Sequence, residues 1–472
     1  MSTSSTPNWG GPLPDPTMAR RIATLSAPII FAMLTQTLVN IADTFFVGQL
    51  EVSVATPGQA ALGYSLPLLW SVGGFLSAIS VGTQAITARR FGARKHGEAG
   101  GVLTNSLLLA VLSGVVFSGL GALACPFAFD VLTQDPDVRA LGVPYAQIRM
   151  LGVLSMVATA SYKAFYDGIG KTHVHMVAAI VMNALNLVLN YCLIFGAWIF
   201  PALGVEGAAW ASLISTYVGL AVMLGWTLLP KYRATYDYYS AARFKGAMMW
   251  EITRLSVPSG LATVFVMSGF LIFLAIIGSL DQQVAPDANG ARPAIYAAAA
   301  KVIIDVLSLT FISSLAYGTA TATLVSQSLG EDRPDKAERY GWESAKLGFL
   351  VMSVVGALIV LFPAQAMDLL SDDIKVIEAG APAMRLMGFI VPVITLSFVF
   401  TQALFGAGNT KFVMIVEALL HVLCLVPLTW LLAIALDLGF VGPWIAAAVY
   451  IGALAAIMGW KFWRGDWKEI EV

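Results

Sequence analysis

Charge is scarce in this chain. Only 12% of its 472 residues are Asp, Glu, Lys or Arg, against roughly 25% in an ordinary soluble domain. With 27 basic and 28 acidic residues, no net excess points to nucleic acid as a partner. Cysteine is rarer still. Cys125, Cys192 and Cys424 lie far apart, in or beside apolar runs, so neither a metal-spaced pair nor a disulfide framework is expected. No basic stretch followed by a short apolar core and cleavage site opens the chain, which argues against a cleaved signal peptide. The opening MSTSSTPNWGGPLPDPT is polar and rich in Pro and Gly, and residues 1–20 read as a flexible cytoplasmic tail. No HExxH, GxSxG or GxxxxGK[ST] pattern occurs. GIGKT at 168–172 echoes the last of these but lacks the upstream glycine. No catalytic residue, no cofactor and no direct use of ATP is therefore expected.

What fills the chain is hydrocarbon. Hydrophobic residues make up 58% of it, above the 45–50% typical of soluble domains. Apolar stretches of about 20 residues, enough to cross a bilayer, recur along the whole length. Twelve spans are expected, at about 22–47, 61–88, 101–127, 140–165, 172–197, 205–229, 251–279, 294–325, 342–366, 377–404, 411–435 and 440–461. With the N-terminus in the cytoplasm, 20 of the 27 basic residues fall on inside segments. Only Arg139, Arg292 and Lys375 fall on outside loops, and Arg149, Lys163, Lys301 and Arg385 lie within spans. That asymmetry is the positive-inside pattern, with both termini cytoplasmic. The expected location is the plasma (inner) membrane.

The second half repeats the first. RIATLSAP (21–28) aligns with EITRLSVP (251–258), Gly92 with Gly330, RMLGV (149–153) with RLMGF (385–389), and YDGIGKT (166–172) with LFGAGNT (404–410). The glycine pairs Gly168/Gly170 and Gly406/Gly408 suit turns that need positive φ or close backbone approach. Six spans per repeat is an even number, so the halves share one orientation, related by a pseudo-twofold axis along the membrane normal. The expected fold is all-α: an N-terminal lobe (21–230), a cytoplasmic linker (231–250) and a C-terminal lobe (251–472). Such repeats build alternating-access transporters; a channel or a purely structural bundle is the alternative.

The repeat makes the polar residues legible. In IIFAMLTQTLVNIADTFFVG (29–48) the one charged residue is Asp43. Such a carboxylate costs about 2.5–3.5 kcal/mol on insertion scales. Its repeat counterpart is Phe273, so the fold does not demand it. Gln36, Asn40 and Asp43, spaced i, i+4, i+7, share a helix face that is expected to look into the bundle. Asn183, Asn186 and Asn190 in VMNALNLVLNY form a second stripe, whose counterparts are His421, Cys424 and Leu428. The two stripes are expected to face one another. GAAWAS (207–212) adds the Ser212 hydroxyl and a freed Ala208 carbonyl. One carboxylate among neutral oxygens suits Na⁺, with Asp43, Asn186 and Asn190 as its holders; a buried Asp43 could bind H⁺ instead. The plain alternative for each Asn is a hydrogen bond between helices.

LSAP leading to NIADTFFVG, GTQAITARRFG, DGIGKT, NLVLNYCLIFG, LGVEGAAWAS and FGAGNT, in that order and within the repeat, resemble the multidrug and toxic compound extrusion (MATE) transporters from about residue 20 to 460. The resemblance implies an efflux antiporter exchanging Na⁺ or H⁺ for amphipathic, often cationic organic compounds. It also implies a cation site on Asp43, Asn186, Asn190, Ala208 and Ser212. Some members carry an acid where this chain has Asn190, and a glutamate in span seven where it has VFVMSGF, so a C-lobe cation site of that kind is not expected here. Organic solutes and membrane lipids are the expected partners, with the chain acting as a monomer.

Other intramembrane charges pair by spacing. Lys301 and Asp305 are i, i+4: a C-lobe relay or substrate contact, or a self-neutralised structural pair. Glu417 and His421 are also i, i+4: a proton shuttle, or a histidine that is simply hydrogen-bonded. Gln36, Asn40 and Asn183 are further candidates for substrate contact. Arg149 and Arg385, equivalent in the repeat, read as architectural or as outer-interface anchors, and His96, His173 and His175 as solvated surface. A flippase for lipids or lipid-linked glycans is the alternative function, and would favour a more cationic cleft.

Overall fold

The structure is a computed structural model that describes residues 11–283 and 294–470. Arg292 and the first half of the expected tail lie outside the described residues. Among these residues there is no strand, and twelve helices are long and apolar enough to span a bilayer. They are α1 (Pro16–Gly48), α2 (Val52–Gly92), α3 (His96–Leu132), α4 (Pro136–Gly168), α5 (His173–Phe195) and α6 (Gly204–Leu228), then α7 (Gly246–Leu280), α8 (Ile295–Gly330), α9 (Pro334–Leu361), α10 (Ile374–Gly406), α11 (Thr410–Ala435) and α12 (Val441–Arg464). The chain is thus a multi-pass membrane protein.

It divides into two compact units. One is Ala27–Gly260; the other joins Leu261 onward to the segment that ends at Ser26. The divisions fall inside α1 and α7, close to Pro28 and Pro258, which the repeat aligns. A proline inside a helix deletes one i→i−4 hydrogen bond and crowds a carbonyl, which lets the helix bend there. The backbone carries the repeat in each unit separately. Arg94 and Asp332 adopt φ of 61° and 55°, Gly170 and Gly408 of 72° and 89°, and Gly204 and Gly439 of 55° and 53°. Of the paired turn glycines, Gly170 and Gly408 need positive φ. Gly406 instead needs the absence of a side chain, because a Cβ there would stand 2.5 Å from the Ala322 carbonyl oxygen.

Three expectations need correction. Residues 16–20 of the expected tail are the first turns of α1. Pro16 opens the helix, and the Asp15 carboxylate accepts the N–H groups of Thr17 (2.9 Å) and Met18 (3.2 Å) and the Thr17 hydroxyl (2.5 Å). Asp15 N–H donates to Glu343 at 2.6 Å, Arg339 donates to Asp15 at 2.8 Å, and Lys346 reaches the Gly11 carbonyl at 3.0 Å. An N-cap and these ionic contacts with α9 order a segment whose composition alone reads as loose. The linker is likewise built. Pro230–Tyr236 is a short helix, and α7 already starts at Gly246. Tyr236 and Tyr238 pack into an aromatic core with Tyr162, Phe165 and Tyr166 of α4. Tyr239, at φ 60°, donates its N–H to the Thr104 hydroxyl at 3.1 Å. Asn105 clasps the chain on both sides, donating to Arg243 O and accepting from Lys245 N–H. Burial pushes the Tyr236 hydroxyl up to about 12 and raises those of Tyr238 and Tyr239 as well. His96, expected at the surface, lies between Phe91 and Tyr236.

Candidate functional site

Within the unit 27–260, α1, α5 and α6 converge on Asp43. Its Oδ1 accepts the Asn190 amide N–H at 2.5 Å and its Oδ2 the Ser212 hydroxyl at 3.3 Å. Asn190 also donates to Asn186 Oδ1 at 2.9 Å, and Asn186 donates to Ser212 Oγ at 3.2 Å. All four residues are buried, Asn190 completely. One turn and more away, Asn183 donates to Thr35 of α1 at 2.9 Å. The pairs 35/183 and 43/190 advance together along both helices, so the polar faces of α1 and α5 meet side by side in parallel. Gly207 seats α6 against α5, because a Cβ there would stand 2.4 Å from Leu193 O. Small residues allow such close approach in membrane helices.

The donor set is adaptable. Ser212 and the Asn190 amide present hydrogens to the carboxylate, as an ionised acceptor requires. Turning the Asn186 amide over brings its nitrogen 3.1 Å from Asp43 Oδ1 and its oxygen 3.2 Å from Ser212 Oγ, adding a second amide donor. Asn190 Oδ1 is buried without a hydrogen-bond partner among the described residues. Such orphaned acceptors are uncommon in proteins. A carboxylate, a hydroxyl and amide oxygens that can rotate inward fit a hard monovalent cation, and the same amides accept from a protonated Asp43.

The expected residues do not all join this cluster. Ala208 is buried, but α6 is a continuous helix through Ser212, so its carbonyl takes the Ser212 N–H in the ordinary ladder. The freed carbonyl is absent because no break interrupts α6. Asn40 is exposed and takes no part in this cluster. The face shared by Gln36, Asn40 and Asp43 is broad, and only its Asp43 edge meets α5 and α6. Gln36 donates to Asn40 at 3.4 Å. Asn40 lines a groove of about 420 Å³ with Thr37, Ile41, Thr44, Phe45 and Gln59. That volume lies within the range of small-ligand sites, and the groove is open, uncharged and largely apolar.

Arg149, read from the repeat as architectural, stands near enough to Asp43 to act on it electrostatically, with buried Tyr145 feeling both charges. An arginine inside a span was the signal; its placement near Asp43 is something that spacing does not reveal. Arg385 is exposed. In the other unit the counterpart of Asp43 is filled by rings: Phe273 stacks on Phe270 at 6.2 Å and meets Trp444 edge-on at 5.6 Å. Lys301 and Asp305 pair with each other and are both exposed. Glu417 and His421 are buried together with Tyr450. No cluster of three or more His, Cys, Asp or Glu able to hold a metal occurs among the described residues.

Twelve apolar helices built as two repeats, with an intramembrane carboxylate held by rotatable amides, define a membrane transporter rather than an enzyme. Residues 28–192 and 288–431 match the MatE family, and the chain belongs to that family. It is 24% identical over 466 residues to a probable multidrug resistance protein NorM of Thermotoga maritima, covering 96% of this chain and 94% of that one. It is 25% identical over 452 residues to the multidrug resistance protein NorM of Burkholderia vietnamiensis, covering 93% and 92%. The solved outward-facing structure of a multidrug resistance MATE family transporter of the MOP superfamily aligns along 100% of both chains, with a TM-score of 0.85 at 22% identity. A MOP superfamily transporter from Pyrococcus furiosus aligns equally well.

Proposed function

We propose that this protein is a secondary active efflux antiporter that exchanges Na⁺ or H⁺ for amphipathic, often cationic organic compounds. The observation that carries the coupling site is the orphaned Asn190 oxygen beside the Asp43 carboxylate. Asp43 holds the ion, Asn186 and Asn190 turn their amides toward it, and Ser212 supplies a hydroxyl. Loading neutralises the carboxylate and releases the donors that now bind it, so α1, α5 and α6 lose one set of contacts and gain another. An ion shifts a conformational equilibrium only through such a difference in contacts. The groove between Asn40, on the helix that carries Asp43, and Gln59 of α2 offers an organic solute an uncharged, largely apolar wall. The names of the relatives, multidrug resistance proteins, support drugs as its class. The distribution of basic residues supports both termini in the cytoplasm, with the inner membrane as location.

The test is transport of a fluorescent organic cation by purified protein in proteoliposomes, with a Na⁺ gradient and a pH gradient imposed separately. Movement driven by one of them, collapsing with the matching ionophore, is expected and names the ion. Movement that ignores both gradients overturns the antiport reading.

A further inference from the structure

The unit 261–470 contains a second enclosed acid, in the middle of α11. Glu417 and His421 retain 7% and 3% of their exposure, and Tyr450 of α12 donates its hydroxyl to Glu417 Oε2 at 2.9 Å. His421 Nδ1 lies 2.8 Å from the Glu417 backbone oxygen and 3.6 Å from Oε2. A carbonyl oxygen only accepts, so the neutral ring carries its proton on Nδ1 and keeps Nε2 as the basic nitrogen. Tyr450 also meets the imidazole edge-on at 4.6 Å. A Cβ at Gly269 of α7 would press on the ring at 2.5 Å, so only glycine leaves room for it.

We infer that Glu417, His421 and Tyr450 form a second proton-binding site, separate from Asp43. An ionised carboxylate in a membrane interior needs a partner charge or several donors. Glu417 has one donor, the Tyr450 hydroxyl, while His421 Nδ1 gives its proton to the backbone oxygen and stands 3.6 Å from Oε2. The ligand is a proton rather than Na⁺, because the cluster supplies two oxygen side chains where a hard cation takes about six ligands. A proton taken up at the carboxylate or at Nε2 stays within the cluster, and no other bond is made or broken.

The surroundings leave the cluster to itself. Tyr450 faces it from α12, and Cys424 stands near Tyr450 from α11. Helix α7 contributes Gly269 and carries no charge from Leu255 to Leu280. Helix α10, whose charges are Lys375, Glu378 and Arg385, makes no ion pair with Glu417 or His421 among the described residues; nor do Lys411 of α11 and Lys461 and Arg464 of α12. The helix itself is irregular there. It turns to π form at His421–Leu425 and again at Leu431–Ala435, on either side of Pro427, which cannot give its N–H to the carbonyl four residues back. Such π turns recur at functional sites.

The experiment is an acid-minus-alkaline infrared difference spectrum of purified protein in lipid, followed in the high-frequency band of carboxyls protonated in apolar settings. A band lost in Glu417→Gln but kept in Asp43→Asn is expected. Its pH midpoint should move in Tyr450→Phe, which removes the donated hydroxyl, and in His421→Gln. A Glu417→Gln spectrum identical to wild type at every pH overturns the inference. So does a Glu417 band whose amplitude never changes with pH, the mark of a fixed structural hydrogen bond. Should Glu417→Gln fail to fold, Tyr450→Phe decides, since an unmoved midpoint contradicts the site.

Discussion

Replacing Asn190 by Ala removes the amide that touches both Asp43 and Asn186. Hydrogen bonds between membrane helices average about 0.6 kcal/mol and reach about 1.7, because the unfolded helices also find partners in the membrane. The Asp43 bond belongs at the upper end, since its acceptor is charged and bonds to charged groups are roughly twice as strong as neutral ones. The Asn186 bond, within α5, belongs near the average. Asn190→Ala should therefore cost about 2 kcal/mol. Most of that cost should vanish in an Asp43→Asn background, where no charge is left under-bonded. The double-mutant cycle should then give a coupling energy of about 1–2 kcal/mol between positions 43 and 190. Reversible unfolding in lipid–detergent micelles measures it. A coupling below about 0.5 kcal/mol, the usual scatter of additive sites, would refute the claim that Asn190 chiefly supports the carboxylate.

Three further outcomes follow from the same contacts. Ser212→Ala, which strips the donor from Asp43 Oδ2, should weaken coupling-ion affinity by about 1 kcal/mol, or roughly five-fold, while Ser212→Thr leaves it near wild type; isothermal titration checks this. Phe273→Asp should not install a matching site in the second repeat; it should destabilise the fold by at least the ~3–5 kcal/mol of a lost core phenylalanine, read as a drop in melting temperature. Asp15→Ala should lower thermal stability at neutral pH. The Thr17 hydroxyl, the Met18 N–H and other donors hold the Asp15 carboxyl below its usual range. Its contribution is therefore complete above that range and fades only as pH falls through the lowered value. A difference between variant and wild type that disappears near neutrality would contradict that assignment.

Much of this was legible in the sequence because hydrophobic length and repeat spacing are local properties. Twelve apolar runs became twelve helices, and the absence of a carboxylate at Phe273 marked Asp43 as an addition to the fold. Spacing also named Asn186 and Asn190, since i, i+4 residues share a helix face. It did not say which neighbour each part of a face meets. Asn40 and Asp43 lie on one broad stripe, yet one lines an open groove and the other is sealed by α5 and α6. Ala208 was expected to offer a freed carbonyl from the small residues of GAAWAS (207–212), but an uninterrupted α6 engages that carbonyl. Contacts between distant segments were silent in the sequence. Tyr450 meets Glu417 across 33 residues, and Asp15 meets Arg339 across 324.

The central claim is that Asp43 is where the driving ion is loaded and unloaded. Its most direct test is gradient-driven transport in proteoliposomes by Asp43→Asn beside wild type, at matched protein orientation. Asn keeps the side-chain shape and a hydrogen-bonding amide but removes the charge. The account predicts a folded variant that still binds the organic cation and no longer responds to the gradient that drives wild type. Gradient-driven transport at the wild-type rate would contradict it and leave Asp43 a structural residue.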